Sequence, residues 1–236
     1  MKKTIGIIGG MGPLATCDLF EKIIRITGAS RDQDHIHVII DSNTQIPDRT
    51  AAILGTGPDP APQMCLSARR LEQMGADLLI MPCNTAHFFI ESIRGAVSIP
   101  IIDMTQETAL LLSRRGVTRA GLLATDGTIR SGVYEKALTA QGIETLLPDS
   151  AGQAAVMDVV YNGIKAGNYD IPTAGFISAM DDLLDRGAQT LILGCTELPV
   201  AFSAFKIDRP CIDPTLVLAA AAVRAAGAEI KPGMGI

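Results

Sequence analysis

Short apolar runs alternate along this chain with segments whose apolar residues recur every three or four positions. Residues 4–8 form an apolar run that ends in glycines, and residues 14–26 set Leu14, Leu19, Ile23 and Ile26 at helical spacing with polar residues between. Residues 36–40 are a β-branched run, 63–74 are helical, 78–81 are strand-like again, and 107–114 and 216–226 are helical. Strand and helix in alternation, with short breakers, predict a parallel sheet covered by helices. The stretch 56–62, with Pro58, Pro60 and Pro62, reads as a surface loop, and the tail 229–236 as frayed.

The pattern is written twice. Gly75-Ala76-Asp77-Leu78-Leu79-Ile80-Met81-Pro82-Cys83 resembles Gly187-Ala188-Gln189-Thr190-Leu191-Ile192-Leu193-Gly194-Cys195. Gly6-Ile7-Ile8-Gly9-Gly10-Met11-Gly12 resembles Gly121-Leu122-Leu123-Ala124-Thr125-Asp126-Gly127, and Pro100-Ile101-Ile102-Asp103 resembles Pro210-Cys211-Ile212-Asp213. The landmarks keep their order at offsets of about 110 to 115 residues, which predicts a duplication. The expected architecture is α/β: two pseudo-symmetric parallel-sheet domains with the active site in the cleft between them, beyond the carboxyl ends of the strands. The first half is expected over residues 1–99, joined by 208–236 as a returning helix, and the second over 100–207. Asp103 and Asp213, each near a Pro, are expected to fix turns.

Composition narrows the classes. Of 236 residues, 47% are hydrophobic and 19% charged, a globular balance. A net charge of −5 and 4% aromatics with no Trp argue against a nucleic-acid partner. The longest late apolar run, 216–223, is too short to span a bilayer. Lys2-Lys3 before an apolar stretch looks faintly like a signal peptide, but Gly9-Gly10-Met11-Gly12-Pro13 breaks that stretch. The expectation is a soluble cytoplasmic protein. Five irregularly spaced cysteines fit free thiols in a reducing compartment.

Cys83 and Cys195 end corresponding strands, each before small polar residues that can cap a helix. An isolated cysteine is usually a small buried hydrophobe. Repetition at one place in both halves points instead to chemistry, whereas Cys17, Cys65 and Cys211 lack that setting and read as structural. A helix N-terminus would favour the thiolate. Two thiols across a cleft suit inversion of a stereocentre, one removing a proton from carbon and the other delivering one to the opposite face. A disulfide pair is the rival use, though no C-x-x-C occurs.

At these residues the chain resembles the cofactor-independent aspartate racemases of the aspartate/glutamate racemase superfamily. The matching pieces are Gly9-Gly10-Met11-Gly12-Pro13 with Ala15-Thr16, Ile46-Pro47-Asp48-Arg49-Thr50, Met81-Pro82-Cys83-Asn84-Thr85-Ala86-His87, Leu123-Ala124-Thr125 with Gly127-Thr128, Ile164-Lys165-Ala166-Gly167, and Gly194-Cys195-Thr196-Glu197. Glutamate racemases usually carry Cys-Thr-His at the second cysteine; Glu197 stands here and favours the aspartate branch. The resemblance implies an L/D-aspartate racemase acting by a two-base mechanism, a homodimer, and neither pyridoxal phosphate nor metal. A glutamate or broad-specificity racemase is the alternative. It makes Cys83 and Cys195 the acid/base pair and gives Asp48 and Lys165 a part in proton transfer. Arg49 would hold a carboxylate. Asn84, Thr85, Thr196 and Glu197 would contact the amino acid, and Gly10, Met11, Gly12, Thr125 and Thr128 would line the site.

Residue chemistry supplies reasons beside these roles. Arginine offers a planar fork matching a carboxylate, and a glycine-rich turn before a helix offers N–H donors to an anion. Without pyridoxal as electron sink, carbanion charge must be met by preorganised donors. Plainer readings stand alongside: Asp48-Arg49 as a surface pair, and Lys165 as a solvated cation. Rival functions are a nicotinamide dehydrogenase, for which the third glycine is missing at Ala15, and a Cys83/His87 nucleophile or zinc pair. A non-catalytic amino-acid-binding module is a further rival.

Overall fold

The computed structural model describes residues 2–233. The chain forms two compact units, one running to Glu107 and resuming at Thr215, the other spanning Thr108–Pro214. The first unit holds a parallel sheet of β1 (Ile5–Gly9), β2 (Val38–Ser42) and β3 (Leu78–Ile80), in the order β2-β1-β3. Ile5 pairs with Val38 on one side and Leu78 on the other. All of β1 is buried because it is the central strand, and side chains alternate between two cores. Ile5, Ile7, Leu78 and Ile80 face one core; Ile8, Ile39, Leu79 and Met81 face the other.

Helix α1 (Pro13–Ile26) starts with Pro at its first position, where no N–H is needed, and buries Ala15, Leu19, Ile23 and Ile26 as one stripe. Burying a side chain such as Leu19 contributes about 1.5–3 kcal/mol before entropy is counted. Helix α2 (Arg49–Ile53) is short, and α3 (Ala61–Gln73) buries Met64, Ala68 and Leu71. A 3₁₀ stretch (Thr85–Phe89) leads into α4 (Ile90–Arg94), and α5 (Met104–Arg114) carries the chain into the second unit.

The second unit contains β4 (Arg119–Ala124), α6 (Asp126–Ser131), α7 (Val133–Thr139), β5 (Glu144–Leu146) and α8 (Ser150–Asp158). A π-helical turn (Val159–Ile164), α9 (Ala174–Asp185), β6 (Thr190–Gly194), α10 (Glu197–Ala204) and β7 (Cys211–Ile212) follow. Its sheet is parallel in the order β5-β4-β6-β7. Helix α11 (Pro214–Ala225) then returns to the first unit, placing Leu218, Ala219, Ala222 and Val223 in the core with β1 and α1. No helix among the described residues is long and apolar enough to cross a membrane.

The duplication is visible bond by bond. Gly6 pairs with Leu79 as Gly121 pairs with Leu191. Leu79 N–H donates to Pro100 O at 2.8 Å, and Leu191 N–H to Pro210 O at 2.9 Å. Asp77 N–H reaches Thr4 O at 2.9 Å, and Gln189 N–H reaches Arg119 O at 3.0 Å.

Three expectations change. The first boundary falls at Glu107, beyond the expected residue 99, because Ile101 still bridges Leu79 and Met104 is in the first unit's core. The second falls at Pro214, beyond 207, because β7 pairs with β6. The start of the tail is pinned, with Gly28 N–H donating to Glu229 O and Lys231 N–H to Ile26 O, both at 2.8 Å. The last three residues of that expectation, 234–236, lie outside the described residues.

Candidate active site

In the first unit, the loops following β1, β2 and β3 leave the carboxyl end of the sheet and carry the predicted residues. Gly10 has φ +89°, and a Cβ there would lie 2.4 Å from the Asn43 backbone, so the loop after β1 can pass the loop after β2 only with glycine. The expected gift of N–H donors to an anion is corrected at this residue. Gly10 N–H donates instead to Thr16 Oγ1 at 2.9 Å, and that hydroxyl donates on to Gly12 O at 3.0 Å. Met11 is buried, and its carbonyl accepts from Arg49 Nη2 at 3.2 Å.

Arg49 also donates through Nη1 to Pro47 O at 2.9 Å, so its guanidinium staples the two loops together. Its Nε is buried without a hydrogen-bond partner. Asp48 caps α2, accepting Ala51 N–H at 2.7 Å, which orders the residue that follows it. Asn43, which sequence reasoning missed, donates to Ser67 Oγ at 3.1 Å and accepts Gln45 N–H at 3.0 Å, shaping the loop that Gly10 meets.

Cys83, Asn84 and Thr85 follow β3 and are buried. Behind them lies His87, also buried. Met104 N–H donates to His87 Nε2 at 3.1 Å, so Nδ1 carries the ring hydrogen and donates to Cys83 O at 2.8 Å. Both ring nitrogens are therefore engaged with the backbone, which leaves neither to activate Cys83 nor to bind zinc beside it. Among the described residues, no three His, Cys, Asp or Glu side chains gather as a metal site would need.

In the second unit, Thr125 caps α6, and its hydroxyl lies 3.1 Å from that of Thr128; both are buried. Gln153, also missed from sequence, donates to Ala124 O at 3.0 Å and to Asp126 Oδ1 at 2.7 Å, bracing the end of β4. Cys195 and Thr196 follow β6, and Cys195 is buried. The Cys195 thiol donates to Glu197 Oε2 at 2.9 Å, and Thr196 Oγ1 donates to the same oxygen at 3.1 Å. Lys165 Nζ lies 3.9 Å from Glu197 Oε1 and 4.6 Å from the centre of the Tyr161 ring, on the π-helical turn.

This arrangement reverses one expectation. Burial first, and then the Glu197 carboxylate, hold the Cys195 thiol well above the ordinary thiol range, with Lys165 opposing them. A helix N-terminus contributes about 0.3–1 kcal/mol, up to roughly 2. Full burial can move a pKa by about 3–5 units, and so it wins. At neutral pH Cys195 is a thiol. All five cysteines are free; Cys17 and Cys211 are exposed and Cys65 half-buried, so none of these three is a buried packing residue.

The family model for Asp/Glu/hydantoin racemases matches residues 8–222. The chain belongs to that family. The broad specificity amino-acid racemase RacX of Bacillus subtilis is 30% identical over 224 residues, covering 93% of this chain and 96% of that protein. The aspartate racemase of Picrophilus torridus superposes with a TM-score of 0.85 at 32% identity, covering 97% of this chain and 96% of the other. An aspartate racemase homologue from Pyrococcus horikoshii gives 0.77 at 26% identity, over 96% and 100% of the two chains. This racemase family has the fold seen here, two α/β domains with parallel sheets, and the dehydrogenase reading falls with the match.

Proposed function

We propose that this racemase interconverts L- and D-aspartate, with Cys83 and Cys195 as the two bases. The observation that carries the reading is one thiol at the same strand end in each unit, after β3 and after β6. A thiolate takes the α-proton to leave a carbanion, and the other cysteine gives its thiol proton to the opposite face. The two cysteines then exchange protonation states and are reset by solvent or by reverse turnover. Cys195, held as a thiol beside Glu197, is the natural donor, which makes Cys83 the base for the enantiomer that the resting protein accepts.

Arg49, held through Nη1 and Nη2 at the junction of the two loops, is the guanidinium that binds a substrate carboxylate. Asn84, Thr85 and Thr196 contact the amino acid. Thr125 and Thr128 line the site through the first turn of α6. Lys165 assists proton transfer from beside Glu197, and Asp48 does so by ordering the loop that carries Arg49. Glu197 serves the thiol instead of the amino acid, since Cys195, Thr196 and Lys165 surround its carboxylate.

The test is incubation of enantiopure L-aspartate in deuterated water without added cofactor, following α-deuterium incorporation and optical rotation together. Both should change in wild type, and rotation should stay fixed in Cys83→Ala and in Cys195→Ala, with turnover down by about 10³-fold or more. Full racemisation by either variant would sink the two-base reading. The relation to RacX favours a second reading, a broad-specificity racemase, so a panel of other amino acids belongs in the same experiment. If glutamate or an apolar amino acid is inverted and aspartate is not, the aspartate assignment is wrong.

A further inference from the structure

The loop that carries the first thiol leaves the sheet early. Beyond Ile80 its backbone has lost the ladder, Pro82 has no N–H to offer, and Cys83 N–H turns back to Met81 O at 3.0 Å. The Cys83 carbonyl is taken by His87, whose ring hydrogen sits on Nδ1 because Nε2 accepts Met104 N–H. Met104 opens α5. Asp103 secures the same turn, accepting from Thr105 N–H at 2.9 Å, Thr105 Oγ1 at 2.7 Å and Gln106 N–H at 3.2 Å.

Burial above all keeps the imidazole below the ordinary histidine range. Asp103 opposes that effect and Arg94 reinforces it, and the neutral tautomer is the one that makes both bonds. The ring is thus a buried titratable group whose two nitrogens are fully used on backbone, one of them on the peptide of the thiol itself.

We propose that His87 is a positioning residue for racemisation: its Nδ1–H, put there by the Met104 amide at Nε2, bonds the Cys83 carbonyl and so fixes the direction from which Sγ meets the α-carbon. This rests on the reading of Cys83 as an acid/base. Displacement of a reacting group by about 1 Å can cost roughly 10²-fold in rate. A rigid brace one turn behind the thiol is therefore worth more to turnover than to binding.

Two half-substitutions separate the bonds. His87→Asn keeps a donor near the Nδ1 position and loses the acceptor for Met104. His87→Gln keeps an acceptor near Nε2 and loses the donor to Cys83. Each leaves one buried backbone group without its partner, so their thermal midpoints should fall together. Turnover should not: kcat should drop about tenfold or more in His87→Gln, with KM little changed, and stay within about threefold of wild type in His87→Asn.

The primary deuterium isotope effect should also rise in His87→Gln for the α-deuterated enantiomer deprotonated by Cys83 and fall for its mirror image. Equal losses in both variants, or isotope effects unmoved, overturn the positioning role while an inactive Cys83→Ala leaves the two-base reading intact. An active Cys83→Ala overturns both. Should the variants fail to fold, ¹⁵N spectra of wild-type His87 decide the matter. A neutral ring protonated at Nδ1 across pH 6 to 8 supports the brace, and an imidazolium signal in that range overturns it.

Discussion

Glu197 stands two residues after Cys195 and accepts its thiol hydrogen, and this pairing sets the acid–base balance of the second thiol. From sequence, the place of Cys195 at a strand end before polar residues was legible. The sign of its environment was not, because a strand-end motif does not say how deeply the sulfur is buried or that a carboxylate folds back on it. Burial and Glu197 raise its pKa and Lys165 lowers it; Tyr161, stacked under Lys165, is the other ionisable side chain on the facing turn. A two-base racemase is inactive once both thiols have lost their protons, so a raised pKa at Cys195 extends activity toward alkaline pH. Glu197→Gln removes a negative charge, stabilises the thiolate, and should move the basic limb of kcat/KM down by about one pH unit or more. The two enantiomers are equal in free energy, so the limb must move equally in both directions of reaction. A lower rate with an unmoved limb would make Glu197 a packing residue.

At the scale of elements, β1, β2 and β3 and the helices α1, α3, α5 and α11, though not α8 or α9, followed from the pattern of apolar residues, since a buried strand and a one-sided helix leave plain patterns. The π-helical turn did not. Lys165 N–H bonds Val160 O at 3.0 Å, a five-residue reach that leaves no distinct spacing of apolar residues, yet this turn is what brings Lys165 to Glu197. Repeated glycines in β1 and β4 were legible as landmarks, and the packing explains them. A Cβ on Gly6 would lie 2.7 Å from Leu79 Cδ2 and 3.2 Å from Leu71 Cβ on α3; one on Gly121 would lie 2.8 Å from Leu191 Cδ2 and 3.2 Å from Leu183 Cβ on α9. The same close approach of helix to strand is thus built into both units. Gly6→Ala and Gly121→Ala should each lower stability by about 1–3 kcal/mol through overpacking, measured by urea unfolding. If either substitution is neutral, its neighbouring leucine has room to move and the shared-packing argument fails there.

For the whole molecule, the duplication was readable because its landmarks recur in order, while the edges of each unit were not. Pro100 and Pro210 looked like boundaries, but prolines mark where a strand begins as readily as where a domain ends. Here each carbonyl instead accepts a hydrogen bond from the unit's third strand, Leu79 in one and Leu191 in the other. The closing helix makes the first unit discontinuous in sequence and the second continuous. That difference has a measurable consequence. Ending the chain after Asp213 would remove Leu218, Ala219, Ala220, Ala222, Val223 and Ala226 from the core they share with Ile5, Ile7, Leu19 and Ile80, and would take none from the cluster of Val156, Phe176, Met180 and Leu193 in the second unit. Each lost leucine or valine contributes about 1.5–3 kcal/mol of burial, and a domain has only about 5–15 kcal/mol to lose. Native-state hydrogen exchange on the truncated chain should therefore show amides of β1, β3 and α1 losing protection by orders of magnitude, while those of β4 and β6 keep most of theirs. If protection falls equally in both units, they unfold as one cooperative body and the helix stabilises the whole chain instead of the unit it returns to.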